Sequence, residues 1–236
     1  MVKKFKKVLA FDLDETIGYF QQLSIFISEL ELIRKKKISQ LEFNIICDLF
    51  PEFFRYKIFE LFSFIKENNS YYDKVIIYTN NTGYKLWVNR IKKYIEHKLN
   101  FKLFNKVIYA YMIDGKLIEK CRTSYEKKYS DLINCLKLSN NTKVIFFDDQ
   151  MHIDLYRNNN VVYHHNTIYK YNLTAEIMIN RLKSSNIKYN RNDNLKLYTK
   201  LKQYIEFKNN VIVANISKDY REIMIMYKKI SLFLFN

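Results

Sequence analysis

The sequence predicts an α/β fold: a mostly parallel, three-layer α/β/α sheet with a small helical insertion and a helical C-terminal extension. Three observations carry this. Short apolar runs at residues 8–11, 74–79 and 143–147 have the length and the β-branched and aromatic content of fully buried strands. Helical periodicities separate them, which calls for crossover connections and parallel strands. Two of the runs pass straight into paired carboxylates, Asp12/Asp14 and Asp148/Asp149, and the third into Thr79-Asn80. Strand ends of this kind are where open α/β sheets bind ligands.

The first strand, residues 8–11, stops at Asp12. Phe20, Leu23, Phe26, Ile27, Leu30 and Ile33 then recur at mostly helical spacing. Lys35-Lys36-Lys37 closes that helix with the charge its C-terminal dipole favours. A second helix spans about 41–49. Pro51 opens a third, at a first turn where its missing N–H costs nothing; it carries Phe53, Phe54, Ile58, Leu61, Phe62 and Ile65. Asn68-Asn69-Ser70 makes a loop. The second strand, 74–79, ends in Thr79-Asn80-Asn81-Thr82-Gly83, and a helix over about 84–98 follows. Residues 107–111 read as a third strand, and 112–118 as a hairpin turned at Asp114-Gly115. A helix over about 129–138 precedes the fourth strand, 143–149, and 161–163 makes a fifth. From about 185 the pattern is helical, with a candidate strand at 210–214. The terminal apolar run 230–235 is too short to span a bilayer and is expected to dock on the core. The chain thus divides into an α/β domain over 1–184, with the insertion at about 17–73, and an extension over 185–236 packed on it.

At 236 residues with 48% hydrophobic content, the chain supports one sizeable domain with an appendage. Gly (3) and Pro (1) are scarce, so turns rest on Asn, Asp and Ser. A net charge of +16 leaves two readings open. It suits an anionic partner such as nucleic acid, a phosphoprotein or anionic lipid. It also suits a merely solvated lysine surface, because the basic residues are scattered. Cys47, Cys121 and Cys135 show no CxxC spacing, so reduced, partly buried thiols are expected rather than a disulfide framework or a zinc site. The basic N-terminus has its apolar run broken by Asp12, unlike a signal peptide. No stretch has the length to cross a bilayer, and the chain reads as soluble and intracellular, with no membrane partner.

Two acids packed at one strand end repel each other, and a divalent cation is the simplest compensation. The first acid can then act as a nucleophile and the second as a proton donor. That is a phosphoryl-transfer layout with an aspartyl-phosphate intermediate. Asp12/Asp14, Thr79/Asn80, a lysine near 127 and Asp148/Asp149 all point to one crevice. Each alone is an ordinary turn or cap residue. Their order on successive buried strands is far more specific.

The run Phe11-Asp12-Leu13-Asp14-Glu15-Thr16 resembles the first motif of the haloacid dehalogenase superfamily. It is closest to the small carboxy-terminal-domain phosphatases, also called NLI-interacting-factor-like phosphatases. Tyr78-Thr79-Asn80-Asn81, Cys121-Arg122-Thr123 and Phe147-Asp148-Asp149-Gln150 further resemble a group encoded by large DNA viruses. The resemblance covers roughly the first two-thirds of the chain. It implies a Rossmann-like fold of the haloacid dehalogenase type. It also implies that Asp12 attacks phosphorus, and that Asp14 protonates the leaving oxygen and then activates water. Mg²⁺ would be held by Asp12, the backbone carbonyl of Asp14, Asp148 and Asp149. Thr79 and the Asn80 backbone N–H would hold phosphate oxygens, and Thr16 would support the first loop.

Two departures stand out. The related cellular phosphatases carry Asp-Asn where this chain has Asp148-Asp149, which leaves open which acid binds metal directly. Alignment on Asp131-Leu132 puts Ser130 where they have lysine, and Lys127 and Lys128 are both within reach. Lys127 is favoured, because Arg122-Thr123…Lys127 fits the viral pattern. His152 either lines the site or is a surface or structural histidine. The insertion either caps the site or packs on the sheet, and it is too short for a large cap.

The function these readings imply is Mg²⁺-dependent phosphomonoester hydrolysis on phosphoserine or phosphothreonine in a protein. One alternative is a polynucleotide 3′-phosphatase, which the charge favours; no GxxxxGK[ST] loop accompanies it. Another is a binding protein with a vestigial site, against which the intact acid set argues. Oligomeric state is left open.

Overall fold

The computed structural model describes residues 5–83, 85–207 and 215–236. Its sheet strands are β1 (Lys7–Phe11), β2 (Lys74–Tyr78), β3 (Lys106–Ile108), β6 (Lys143–Asp148) and β7 (Val161–His165). They run parallel in the order β3-β2-β1-β6-β7. A separate antiparallel pair, β4 (Met112–Ile113) and β5 (Lys116–Leu117), forms the expected hairpin. Asp114 and Gly115 at its tip both have positive φ, 49° and 73°, as a tight two-residue turn requires.

Central β1 pairs with β2 on one side and β6 on the other, so the chain order reverses there. Ligands bind at such a switch point. Phe11 lies level with Ile77 and with Phe147. One residue further on, Asp12 therefore emerges beside Asp148, with Thr79 just past the end of β2.

Both sheet faces are covered, which is why the strands read as unbroken apolar runs. Leu9, Phe11, Val75, Ile77, Ile145 and Phe147 point into the larger core. Helices α1 (Gln21–Arg34), α2 (Gln40–Leu49), α3 (Ile58–Glu67) and α4 (Lys85–Leu99) fill it, with α7 (Ala175–Lys183), α8 (Asn194–Phe207) and α9 (Ile216–Phe235). Val8, Ala10, Ile76, Tyr78, Val144 and Phe146 point to the other side. There they meet α5 (Tyr129–Leu136) and α6 (Ile153–Arg157). The insertion packs on the sheet: Phe26, Phe43, Phe50, Phe53 and Phe62 share one core with Phe11. Ile230 and Leu234 of α9 are buried in it too, so the terminal apolar run docks as expected. Among the described residues, no helix is long and apolar enough to cross a membrane.

Three expectations need adjustment. Pro51 opens only a 3-10 turn, Pro51–Phe53; the chain then extends at Phe54 (φ −95°, ψ 141°), and α3 begins after a left-handed Lys57 (φ 59°). The break lets Arg55 turn inward, where it is 1% exposed. Second, Cys121 and Cys135 form a disulfide, Cα–Cα 5.0 Å, while Cys47 is free and buried. The expectation of three reduced thiols is corrected: the segment after the hairpin folds back onto α5, a tertiary contact that a 14-residue spacing does not announce. Third, β3 is shorter and starts one residue before the expected 107–111, β7 starts as expected at Val161 but runs on to His165, and α5 ends two residues early at a left-handed Lys137. The candidate strand at 210–214 lies outside the described residues, as does Tyr84.

Candidate active site

The first loop is built by backbone geometry. The Leu13 carbonyl accepts from the N–H groups of both Ile17 (3.0 Å) and Gly18 (3.3 Å), making one tight turn directly after the strand. Glu15 within it takes a left-handed φ of 59°. Gly18 closes the turn where the chain passes under Phe53. A Cβ there would sit 2.3 Å from the Phe53 carbonyl oxygen, so only glycine fits.

Arg55 locks this loop from behind. Its Nε donates to the Thr16 carbonyl at 2.6 Å, and its Nη2 donates to the carbonyls of Glu15 (2.7 Å) and Thr167 (2.6 Å). The guanidinium lies over the Tyr169 ring and 3.7 Å from Asp219 of α9. The sequence pattern assigns Arg55 no role. The only local signal is a charged residue set among phenylalanines expected to be buried.

The acids and the lysine come together as the crevice required. Lys127 Nζ donates to Asp12 Oδ1 at 2.5 Å and to Asp148 Oδ2 at 2.6 Å, and all three side chains are buried. Lys128 is elsewhere: its backbone N–H points to the Tyr78 hydroxyl, 3.2 Å away. Asp148 Oδ1 accepts from the Gln150 N–H, and Thr16 Oγ1 donates to Asp149 Oδ1 at 3.3 Å. His152 is neither at the surface nor in the cleft. It is buried behind Asp148, with Nε2 3.4 Å from Asp148 Oδ2 and no hydrogen-bond partner.

Burial raises the Asp12 carboxyl well above its ordinary range; Lys127 opposes this, while Asp148 and Asp14 add to it. Burial pushes Asp148 the same way, but Lys127 and the neighbouring His152 together outweigh it and hold that carboxyl low. Asp149, further from the lysine, is pushed up to about 6 by burial and by Asp148. Lys127 is held charged: burial works against it, and the two acids more than compensate. One cation thus faces three crowded carboxylates. Carboxylate oxygens of Asp12, Asp148 and Asp149 all lie within 4.8 Å of one another. Hard oxygen donors at that spacing fit a hard divalent cation, Mg²⁺ among them.

Thr79 and Asn80 line the same cleft with Asp12, Asp14, Lys127 and Asp149. Thr79 Oγ1 accepts the Asn81 N–H at 3.0 Å, and Asn80 Nδ2 donates to the Tyr125 carbonyl at 3.0 Å. Asp14 is held by Asn81, whose Nδ2 donates to Asp14 Oδ2 at 2.6 Å. Burial still raises the Asp14 carboxyl, with Asn81 pulling the other way. That suits a group asked to deliver a proton. In the sequence, Asn81 stands out only as part of the Tyr78-Thr79-Asn80-Asn81 run.

A second buried arginine fixes the Lys127 loop. Arg122 donates to the carbonyls of Tyr109 (2.9 Å) and Tyr125 (2.9 Å) and stacks 4.9 Å over the Tyr78 ring. Asp131 accepts from both the backbone N–H and the hydroxyl of Thr123. Lys127 is therefore carried on a braced segment.

Comparison of the chain with protein-family models, curated proteins and solved structures returned no match. The functional reading rests on the geometry.

Proposed function

We propose that this protein is a Mg²⁺-dependent phosphomonoester hydrolase of the haloacid dehalogenase type, acting on phosphoserine or phosphothreonine in a protein. The observation that carries the proposal is the placement of Asp12. It leaves the central strand at the sheet's switch point, bound to Lys127, with the carboxylates of Asp148 and Asp149 within 4.8 Å and Thr79 across the cleft.

Asp12, Asp148 and Asp149 would hold the metal, which would neutralise phosphate charge as it shifts. Asp12 forms the new bond to phosphorus. The bond from phosphorus to the leaving oxygen breaks, and its electron pair stays on that oxygen, which takes the proton of Asp14. Asp14, now a carboxylate, draws a proton from water as the water attacks the aspartyl-phosphate, returning Asp12 and free phosphate. Lys127 and Thr79 stabilise the charge on the transferred group. The +16 charge favours a second reading, a polynucleotide 3′-phosphatase.

Turnover of a phosphopeptide panel against a 3′-phosphorylated oligonucleotide, at matched ionic strength, decides between the two. Exhaustive chelation is expected to abolish either activity. Asp12→Asn is expected to remove the covalent intermediate altogether. Asp14→Asn should keep the nucleophile and lose about 10²–10⁴ in rate. Near-normal turnover by Asp12→Asn would exclude this chemistry.

A further inference from the structure

Beside the cleft that holds Asp12 lies a second pocket of about 310 Å³, walled by Tyr19, Phe20, Gln21, Ser24, Gly83 and Trp87. Asp14, Glu15 and Asn81 line both spaces, so the two adjoin across Asp14. The mechanism above makes no use of this pocket.

Its construction is firm. Tyr19 and Phe20 follow the Gly18 turn, and the Tyr19 N–H donates to the Phe53 carbonyl at 2.8 Å. The Phe20 ring packs edge-on against Phe54, and Trp87 packs edge-on against Phe43 of α2. The Tyr19 hydroxyl donates to Gln21 Oε1 at 3.1 Å. Asn81 Oδ1 accepts the Gly83 N–H at 2.8 Å, while the same side chain holds Asp14. Asp14, Tyr19 and Phe20 thus sit on the segment after β1, and Asn81, which holds Asp14, lies on the loop that leads into the Trp87 helix.

We propose that this pocket is the leaving-group subsite and takes an aromatic ring on the alcohol side of a phosphomonoester. The inference rests on the phosphatase reading in one respect. With phosphorus at Asp12 and the leaving oxygen at Asp14, the rest of the substrate continues past Asp14, and the space it meets is lined by Tyr19, Phe20 and Trp87. Tyr19 and Phe20 are buried and Trp87 is half-buried, so a flat ring gains contact area and favourable edge or offset geometry chiefly against Trp87. The ring can be that of a phosphotyrosyl group, or that of an aromatic residue next to phosphoserine or phosphothreonine. A polynucleotide suits the rim less well, since the Glu15 carboxylate would repel its further phosphates.

Trp87 is the chain's single tryptophan, so its emission reports on this pocket and on the Phe43 contact behind it. The test uses the wild-type protein with MgCl₂ and four non-hydrolysable phosphonate ligands. Three are peptides: a phosphotyrosine analogue flanked by alanine, a phosphoserine analogue next to phenylalanine, and a phosphoserine analogue flanked by alanine. The fourth is a nucleoside phosphonate. Affinity is read by calorimetry and pocket occupancy by Trp87 fluorescence. The ring-bearing peptides are expected to bind about tenfold to a hundredfold tighter than the alanine-flanked phosphoserine analogue and to shift the emission. The tighter of the two identifies the source of the ring. Trp87→Leu should cut the ratio of ring-bearing to ring-free affinity tenfold or more. Equal affinities, or saturation without any change in Trp87 emission, would overturn the proposal. Tightest binding by the nucleoside phosphonate would overturn the peptide source. Binding does not depend on turnover: a ring preference without hydrolysis leaves the subsite standing and removes the phosphatase reading, and hydrolysis without a ring preference does the reverse.

Discussion

Arg55 Nε donates to the Thr16 carbonyl at 2.6 Å, joining the helical insertion to the loop that carries Asp12 and Asp14. The same guanidinium holds the Glu15 and Thr167 carbonyls and faces Asp219. Its fork of fixed donors satisfies three carbonyls at once, which a lysine ammonium cannot match in direction. Arg55→Met is expected to destabilise the fold by about 3–5 kcal/mol, because buried carbonyls and Asp219 lose their partner. Arg55→Lys should recover part of that loss. Urea midpoints of the two variants and the wild type measure both effects.

Lys127 and Lys128 are neighbours with unlike surroundings. Lys127 is the shared partner of Asp12 and Asp148, whereas Lys128 is half-buried. Lys127→Ala leaves crowded, buried acids without their cation. It is expected to lower kcat/KM by at least 10²-fold, and Lys128→Ala by no more than a few-fold. Equal, small losses in the two variants would remove Lys127 from the site.

The parts of this arrangement legible in the sequence are those fixed by local pattern. Asp12 and Asp148 announce themselves because an apolar strand covered on both faces ends abruptly in charge. The Asp114-Gly115 turn is legible because it needs positive φ at both positions. Lys127 is not legible in this way: a lysine shortly before a helix has no distinguishing neighbours, and only the resemblance favoured it over Lys128. Arg55 is opaque, and Arg122 is visible only as part of a motif, because both act on carbonyls brought close by tertiary folding. Pro51 misled for a related reason. Its helical first turn is real, but the chain extends at Phe54 and ends it after Phe53.

The disulfide between Cys121 and Cys135 closes the segment that carries Lys127. A cross-link over a loop of about 15 residues restricts the unfolded chain by about 3 kcal/mol in the loop-entropy picture. Reductant is therefore expected to lower the stability of the wild type by about 2–3 kcal/mol. A Cys121→Ser/Cys135→Ser double variant should start at that lower value and ignore reductant. Mass spectrometry after alkylation counts the thiols directly: one is expected in the oxidised protein and three after reduction, Cys47 being the constant one.

The C-terminal helix gives the fold a defined response to acid. His164 Nε2 and Glu222 Oε1 are 2.6 Å apart, and Asn166 Nδ2 donates to the same carboxylate oxygen at 3.0 Å. Burial pushes the Glu222 carboxyl up, but the contact with His164 outweighs it, helped by Arg55, and the net shift is downward. A carboxyl whose folded pKa is depressed adds stability above its unfolded pKa and loses it as pH falls through the folded one. Asp219, one turn earlier, is shifted the other way: burial raises it more than Arg55 lowers it, so its part is lost as pH rises through the folded value. Glu222→Gln isolates the first contribution, since it keeps the shape and removes the charge. The variant is expected to lose about 1–3 kcal/mol near neutral pH, the worth of hydrogen bonds to a charged group. It should also show a flatter fall in stability between about pH 5 and pH 3, where carboxylates of ordinary pKa and below titrate. Urea midpoints taken across that range for both proteins test the assignment. A variant whose acid limb stays parallel to that of the wild type would exclude Glu222 as its source.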